Sequence, residues 1–146
     1  MKRLSGLLIG ALFAMLTIAA WGFANRPSPE PAWPSRIQGF AFQPYQKDQD
    51  AQRGDLPTLE QIDSDLKLLA GKTQAVRTYS TTGTPAQIPA MAAKHGIAVT
   101  VGAWLNRDHA ANDREVEGAI RLAKLNKNVT RVLVGNETLL RGDFAF

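Results

Sequence analysis

Near its C-terminal end the sequence runs Arg131-Val132-Leu133-Val134 into Gly135-Asn136-Glu137. A β-branched run that closes on an amide and an acid has the form of a strand delivering a carboxyl group to a sheet end. In parallel α/β proteins ligands meet the carboxyl ends of the strands. A carboxyl there can protonate a leaving oxygen and later take a proton from water. Cleavage of a glycosidic bond by this route takes a second carboxyl across the bond. Asp108, on the loop after the third strand, and Asp143, just past the fourth, are the acids that could substitute, and both read as solvated loop or capping residues. Half of a sugar-cleaving pair is therefore legible.

Three earlier strand ends carry matching chemistry. Phe42, Pro44 and Tyr45 follow the first expected strand, Arg77, Tyr79 and Ser80 close the second, and Trp104, Asn106, Arg107 and Asp108 follow the third. Aromatic faces stack on the apolar faces of sugar rings, while amide, hydroxyl and carboxylate groups bind sugar hydroxyls. A plainer reading stands beside this one. Glu137 could be a strand-end acid paired with Arg77 or Arg131, and Tyr79 and Trp104 could be core or rim aromatics. His95, next to Gly96, reads as a helix C-terminal cap, and His109 as a solvated loop residue. The triplets at Asn128 and Asn136 match the glycosylation pattern, but the second would block the candidate site.

The elements that would position these groups alternate along the chain. A strand is expected at 37–42 and a loop at 43–57. Thr58 and Gln61 have the spacing of a capping box opening a helix, with Ile62, Leu66 and Leu69 on one face until Gly71. A second strand covers 75–79. Thr84-Pro85 opens a helix running to Lys94 and closing at Gly96. A third strand covers 97–104. Asn112 or Asp113 caps a longer helix with Val116, Ala119, Ile120 and Ala123 on one face, and a fourth strand covers 129–134. Four strands alternating with three helices predict an α/β fold with a parallel, helix-covered sheet. A doubly wound sheet and half of a closed barrel share this local pattern. No Gly-x-Gly-x-x-Gly or Walker loop supports nucleotide binding.

Composition narrows the field. Hydrophobic residues make up 45% and charged residues 21% of 146, an ordinary globular balance. A net charge of +4, scattered and partly owed to Lys2 and Arg3, gives no basis for nucleic-acid binding. Cysteine is absent, which excludes disulfides, thiol nucleophiles and cysteine zinc sites. With two histidines a His-rich metal site is not expected, and no cofactor is.

Residues 1–24 read as an export signal or a membrane anchor. Lys2 and Arg3 precede an uncharged run over 6–24, and small residues flank a cleavage position before Asn25. The same run is long enough to span a bilayer uncleaved. Either way the remainder faces outward, in a periplasm, cell envelope or extracellular space. Residues 25–35, rich in proline, form a semi-rigid spacer. The domain proper is 36–146.

Four motifs, Gly39-Phe40-Ala41-Phe42-Gln43-Pro44-Tyr45, Arg77-Thr78-Tyr79-Ser80, Gly102-Ala103-Trp104-Leu105-Asn106-Arg107-Asp108 and Val134-Gly135-Asn136-Glu137, occur in this order. In them the chain resembles glycoside hydrolase family 17, especially its bacterial β-1,3-glucanase and glucan-transferase-like members. The resemblance implies the first half, about four β/α units, of a TIM (β/α)8 barrel and a retaining mechanism on β-1,3-glucan, by hydrolysis or transglycosylation. Glu137 would be the general acid/base and Asn136 would bind the hydroxyl beside the reacting carbon. Tyr79, Phe42 and Tyr45 would line the sugar subsite, with Trp104 a stacking wall. The family's nucleophile comes from a late strand with no counterpart here. The expectation is thus a fragment cut after the fourth strand, lacking its nucleophile, with exposed sheet edges that pair with a complementary half barrel or another copy. The alternative is a non-catalytic glucan-binding or structural half-barrel module.

Overall fold

The computed structural model describes residues 2–50 and 53–145. The chain divides into two units at the Trp33–Pro34 junction. In the first, α1 (Lys2–Ala24) contains a 20-residue stretch, Ser5–Ala24, long and apolar enough to cross a membrane. Its large side chains, among them Leu7, Phe13 and Trp21, are exposed. Thr17, the polar interruption, returns its hydroxyl to the Phe13 carbonyl at 2.9 Å and so is satisfied within the helix. Asn25 closes the helix by donating its side-chain amide to the Trp21 carbonyl at 2.8 Å.

The second unit is an α/β layer. Its elements are β1 (Phe40–Ala41), α2 (Leu59–Leu69), β2 (Ala75–Arg77), a 3-10 turn (Thr84–Gln87) leading into α3 (Ile88–Lys94), β3 (Ala98–Ala103), α4 (His109–Leu125) and β4 (Val129–Val134). The four strands lie parallel in the order β1-β2-β3-β4. Sequential order with a helix in each connection is the βαβ repeat expected from the alternation. Ile37 bridges Thr73 and extends the first pairing.

One face of the sheet holds the core. Val76, Val99, Val101 and Ala103 pack with Ile62 and Leu66 of α2, Ile88 and Met91 of α3, and Ala119 and Leu122 of α4. Each fully buried aliphatic side chain contributes about 1.5–3 kcal/mol, which makes this face the main source of cohesion. Alternation sends the next residues to the opposite face. There Arg77, Thr100 and Arg131 fall on one row across three strands. Arg77 and Thr100 are half-buried and Arg131 is exposed. Edge strand β4 is exposed over most of its length, Leu133 and Val134 included.

Several local expectations need correction. The first strand is two residues long rather than six, because pairing to β2 reaches only Val76 and Arg77. Strands β2 and β3 end at Arg77 and Ala103, so Tyr79 and Trp104 stand in the loops beyond them. Helix α4 starts at His109, capped by Asp108, whose carboxylate accepts the Ala111 N–H at 3.1 Å. Asn112 is no cap, since its amide is folded back on Asn106, accepting its N–H and donating to its carbonyl, each at 2.8 Å. His109 therefore belongs to a helical first turn. The buried face of α4 is Asn112, Glu115, Gly118, Ala119 and Leu122, about one residue round from the expected stripe, and leaves Ile120 exposed. His95 sits at the end of α3, yet its Nε2 pairs with Asp63 at 2.9 Å rather than capping carbonyls. The capping box of Thr58 and Gln61 forms as expected.

Candidate active site

The loops at the carboxyl ends of β1, β2 and β3 enclose a cleft of about 210 Å³. That exceeds the roughly 150 Å³ that holds one benzene ring, so it suits a single six-membered ring. Phe42, Pro44, Tyr45, Tyr79, Ile88 and Trp104 are among its lining residues. Four of the aromatics picked out from sequence are thus brought together. Phe42 is also part of the buried core, so its ring is a floor, while Tyr45, Tyr79 and Trp104 are half-buried and form walls. Asn136 and Glu137 do not line this cleft.

They are nevertheless linked to its walls through two arginines. Arg77 donates to Asn136 Oδ1 at 2.7 Å, and its guanidinium carbon lies 4.7 Å from the centre of the Tyr79 ring. Arg141 donates to the Asn136 carbonyl and, at 2.7 Å, to the Leu105 carbonyl. Its guanidinium covers one face of Trp104 at 4.1 Å from the ring centre. Asp143 holds Arg141 in turn with a 2.7 Å ion pair. A planar cation that stacks and donates in the same plane can brace an aromatic and an amide at once. Asp143 is therefore an ion-pair partner rather than a solvated loop acid.

Glu137 is exposed and has a left-handed backbone, with φ 53°. Non-glycine residues held there store about a kcal/mol or more and recur at functional sites. The expected alternative of a Glu137–Arg77 pair is not what forms, since Arg77 is engaged by Asn136. Arg77 Nε is buried without a hydrogen-bond partner among the described residues. The amide of Asn128 donates to the Pro89 and Ile97 carbonyls, so that glycosylation triplet serves as a structural tie. Among the described residues no three His, Asp or Glu side chains converge on a metal position.

Sequence reasoning missed Glu115 and Arg141. Glu115 is 6% exposed on α4, with its carboxylate turned toward the loop after β2. A signal was present: Asn112, Glu115, Gly118 and Leu122 recur at helical spacing and place an acid on the inner stripe. Arg141 gave none, because its partners lie in two separate loops.

A family model for the BtgE/BtgC glycoside hydrolase domain matches residues 39–145, and the chain belongs to that family. No curated protein and no solved structure matches it.

Proposed function

We propose, from membership of a glycoside hydrolase domain family, that residues 36–146 are the first half of a (β/α)8 barrel of the family 17 kind. Its substrate is a β-1,3-linked glucan, cleaved or transferred with retention of configuration. The observation that carries this reading is the cleft at the strand ends, with its aromatic walls tied by Arg77 and Arg141 to Asn136, the neighbour of Glu137.

Glu137 protonates the departing glycosidic oxygen and then removes a proton from water or an acceptor sugar. Arg77 engages Asn136 Oδ1, which leaves the amide N–H groups to donate to a sugar hydroxyl. Tyr79 and Trp104 stack on the ring, and Tyr45 and Phe42 complete the subsite. Three acids near the cleft are committed: Asp108 caps α4, Asp143 holds Arg141, and Glu115 is surrounded by donors. As the family 17 resemblance implies, the nucleophile, about 5–5.5 Å from Glu137 in a retaining site, comes from a strand outside this sheet. A complementary half barrel against β1, β4 and the Arg77 face would deliver it.

Residues 1–24 act as export signal or membrane anchor and 25–35 as spacer, placing the domain outside the cytoplasm, where glucans lie. The same committed acids favour a second reading, a glucan-binding module without turnover. Incubation of the full protein with β-1,3-, β-1,4- and mixed-linked glucans, with NMR of the first product formed, separates the two. Release of β-configured product from β-1,3-glucan supports the hydrolase; affinity without release, unaffected by Glu137→Gln, supports the module.

A further inference from the structure

Glu115 lies outside the cleft, yet it holds two of the three loops that form it, those after β2 and β3. From the β2 side, Ser80 Oγ donates to its Oε1 at 2.5 Å and Thr82 Oγ1 at 3.0 Å, while the Thr81 N–H donates to Oε2 at 2.8 Å. From the β3 side, the Trp104 N–H reaches the same Oε2 at 3.2 Å. Thr81 Oγ1 sits 2.8 Å from the Glu115 carbonyl and 2.9 Å from Oε2, its single proton serving one of them at a time. A buried carboxylate is stable only when its lone pairs are filled in this way. One turn along α4, Gly118 leaves the space the loop needs, because a Cβ there would collide with the Thr81 side chain. Helix, loop and strand end thus meet at one seam, with the β2 loop resting on α4.

We propose that Glu115 is the positioning residue of the cleft: its Oε2 fixes the backbone of Thr81 and Trp104 together, and so sets the spacing of the Tyr79 and Trp104 walls. The proposal rests on the reading of the cleft as a sugar subsite, but the seam itself is measurable without sugar. The two carboxylate oxygens differ in their duties. Oε2 meets two fixed backbone donors beside the Thr81 hydroxyl, whereas Oε1 meets only hydroxyls, which can rotate and accept. Glu115→Gln can therefore keep its oxygen on the two N–H groups and turn its NH₂ toward Ser80 and Thr82. Glu115→Met has similar length and no strong acceptor, and leaves both N–H groups unpaired.

The test uses the full chain carrying Trp21→Phe and Trp33→Phe, so that Trp104 is its one indole. Amide hydrogen exchange at Thr81 and Trp104 and quenching of Trp104 by acrylamide report the seam. Titration with laminari-oligosaccharides, followed by Trp104 emission, reports the subsite. Glu115→Met is expected to lose protection at both amides together and to bind about tenfold more weakly, with Glu115→Gln restoring both. If Met unfolds the domain, Glu115→Asp, one methylene too short to reach both loops, carries the same expectation. Unchanged exchange at both amides in a folded Met or Asp variant overturns the proposal, as does failure of Gln to restore it. Absence of sugar binding by the parent chain counts against the subsite reading alone, and the exchange data then decide on the seam.

Discussion

Arg77 ends β2 and Asn136 stands two residues past β4, strands separated by β3, yet their side chains meet at 2.7 Å. Gly102, two residues past Thr100 on β3, falls on the same face as Arg77 and adds no side chain there. The contact orients the Asn136 amide, and the stacked Tyr79 fixes the guanidinium plane. Lysine carries the charge but neither the fork nor the stack. Arg77→Lys is expected to lower kcat/KM on β-1,3-glucan about tenfold, with little change in thermal midpoint, in paired kinetic and melting measurements. Equal activity of the two proteins would remove Arg77 from the account.

Gly102 also marks a close approach of β3 to the backbone just past β2. A Cβ there would overlap the Thr78 carbonyl oxygen and crowd the Tyr79 backbone. Backbone on both sides cannot give way as a flexible side chain would. Gly102→Ala is expected to cost about 1–3 kcal/mol in urea unfolding. It should also displace Tyr79, so glucan binding should weaken beyond the stability loss.

Glu137 is held at φ 53°, where a side chain is disfavoured and glycine is not. Glu137→Gly should therefore be more stable than Glu137→Ala by about 1 kcal/mol, although both remove the proposed acid/base. Equal unfolding free energies for the two variants would mean that the loop relaxes and stores no strain.

Away from the cleft, the hydrogen bond from His95 holds the Asp63 carboxyl below its ordinary 3.8, against an opposing desolvation and with help from the charges of His95, Lys94 and Lys67. A carboxyl whose folded value is depressed adds stability above its unfolded value and loses it as pH falls through the folded one. Urea midpoints should drop as the pH falls through and below the ordinary carboxyl value of 3.8, and His95→Gln should flatten part of that drop. Parallel curves for the two proteins would assign the acid sensitivity to other groups.

How far this was readable from sequence depends on how local each cause is. Strand β4 and the Thr58–Gln61 cap follow from neighbours in the chain, a β-branched run in one case and a three-residue reciprocal bond in the other. The start of α4 does not. Asp108, Asn112 and Asp113 are all competent caps, and the choice turns on Asn106 claiming the Asn112 amide. The aromatic cleft was legible because strand ends in a parallel sheet converge whatever the loop details. Its bracing was not, because Glu115 meets Thr81 across 34 residues and Arg141 meets Leu105 across 36. Contacts of that range leave no spacing to read.

The central claim is that Glu137 is the acid/base of a retaining glycosidase. The most direct test is azide rescue of Glu137→Ala in the full protein as its own cells assemble it, with an activated aryl β-glucoside of a β-1,3-linked disaccharide as substrate. A good leaving group needs no acid, so the glycosyl intermediate still forms, and azide can attack it without a general base. The account predicts restored turnover and a β-configured glycosyl azide. An α-configured azide would make Glu137 the nucleophile instead, and full activity of Glu137→Ala on unactivated glucan would remove it from catalysis.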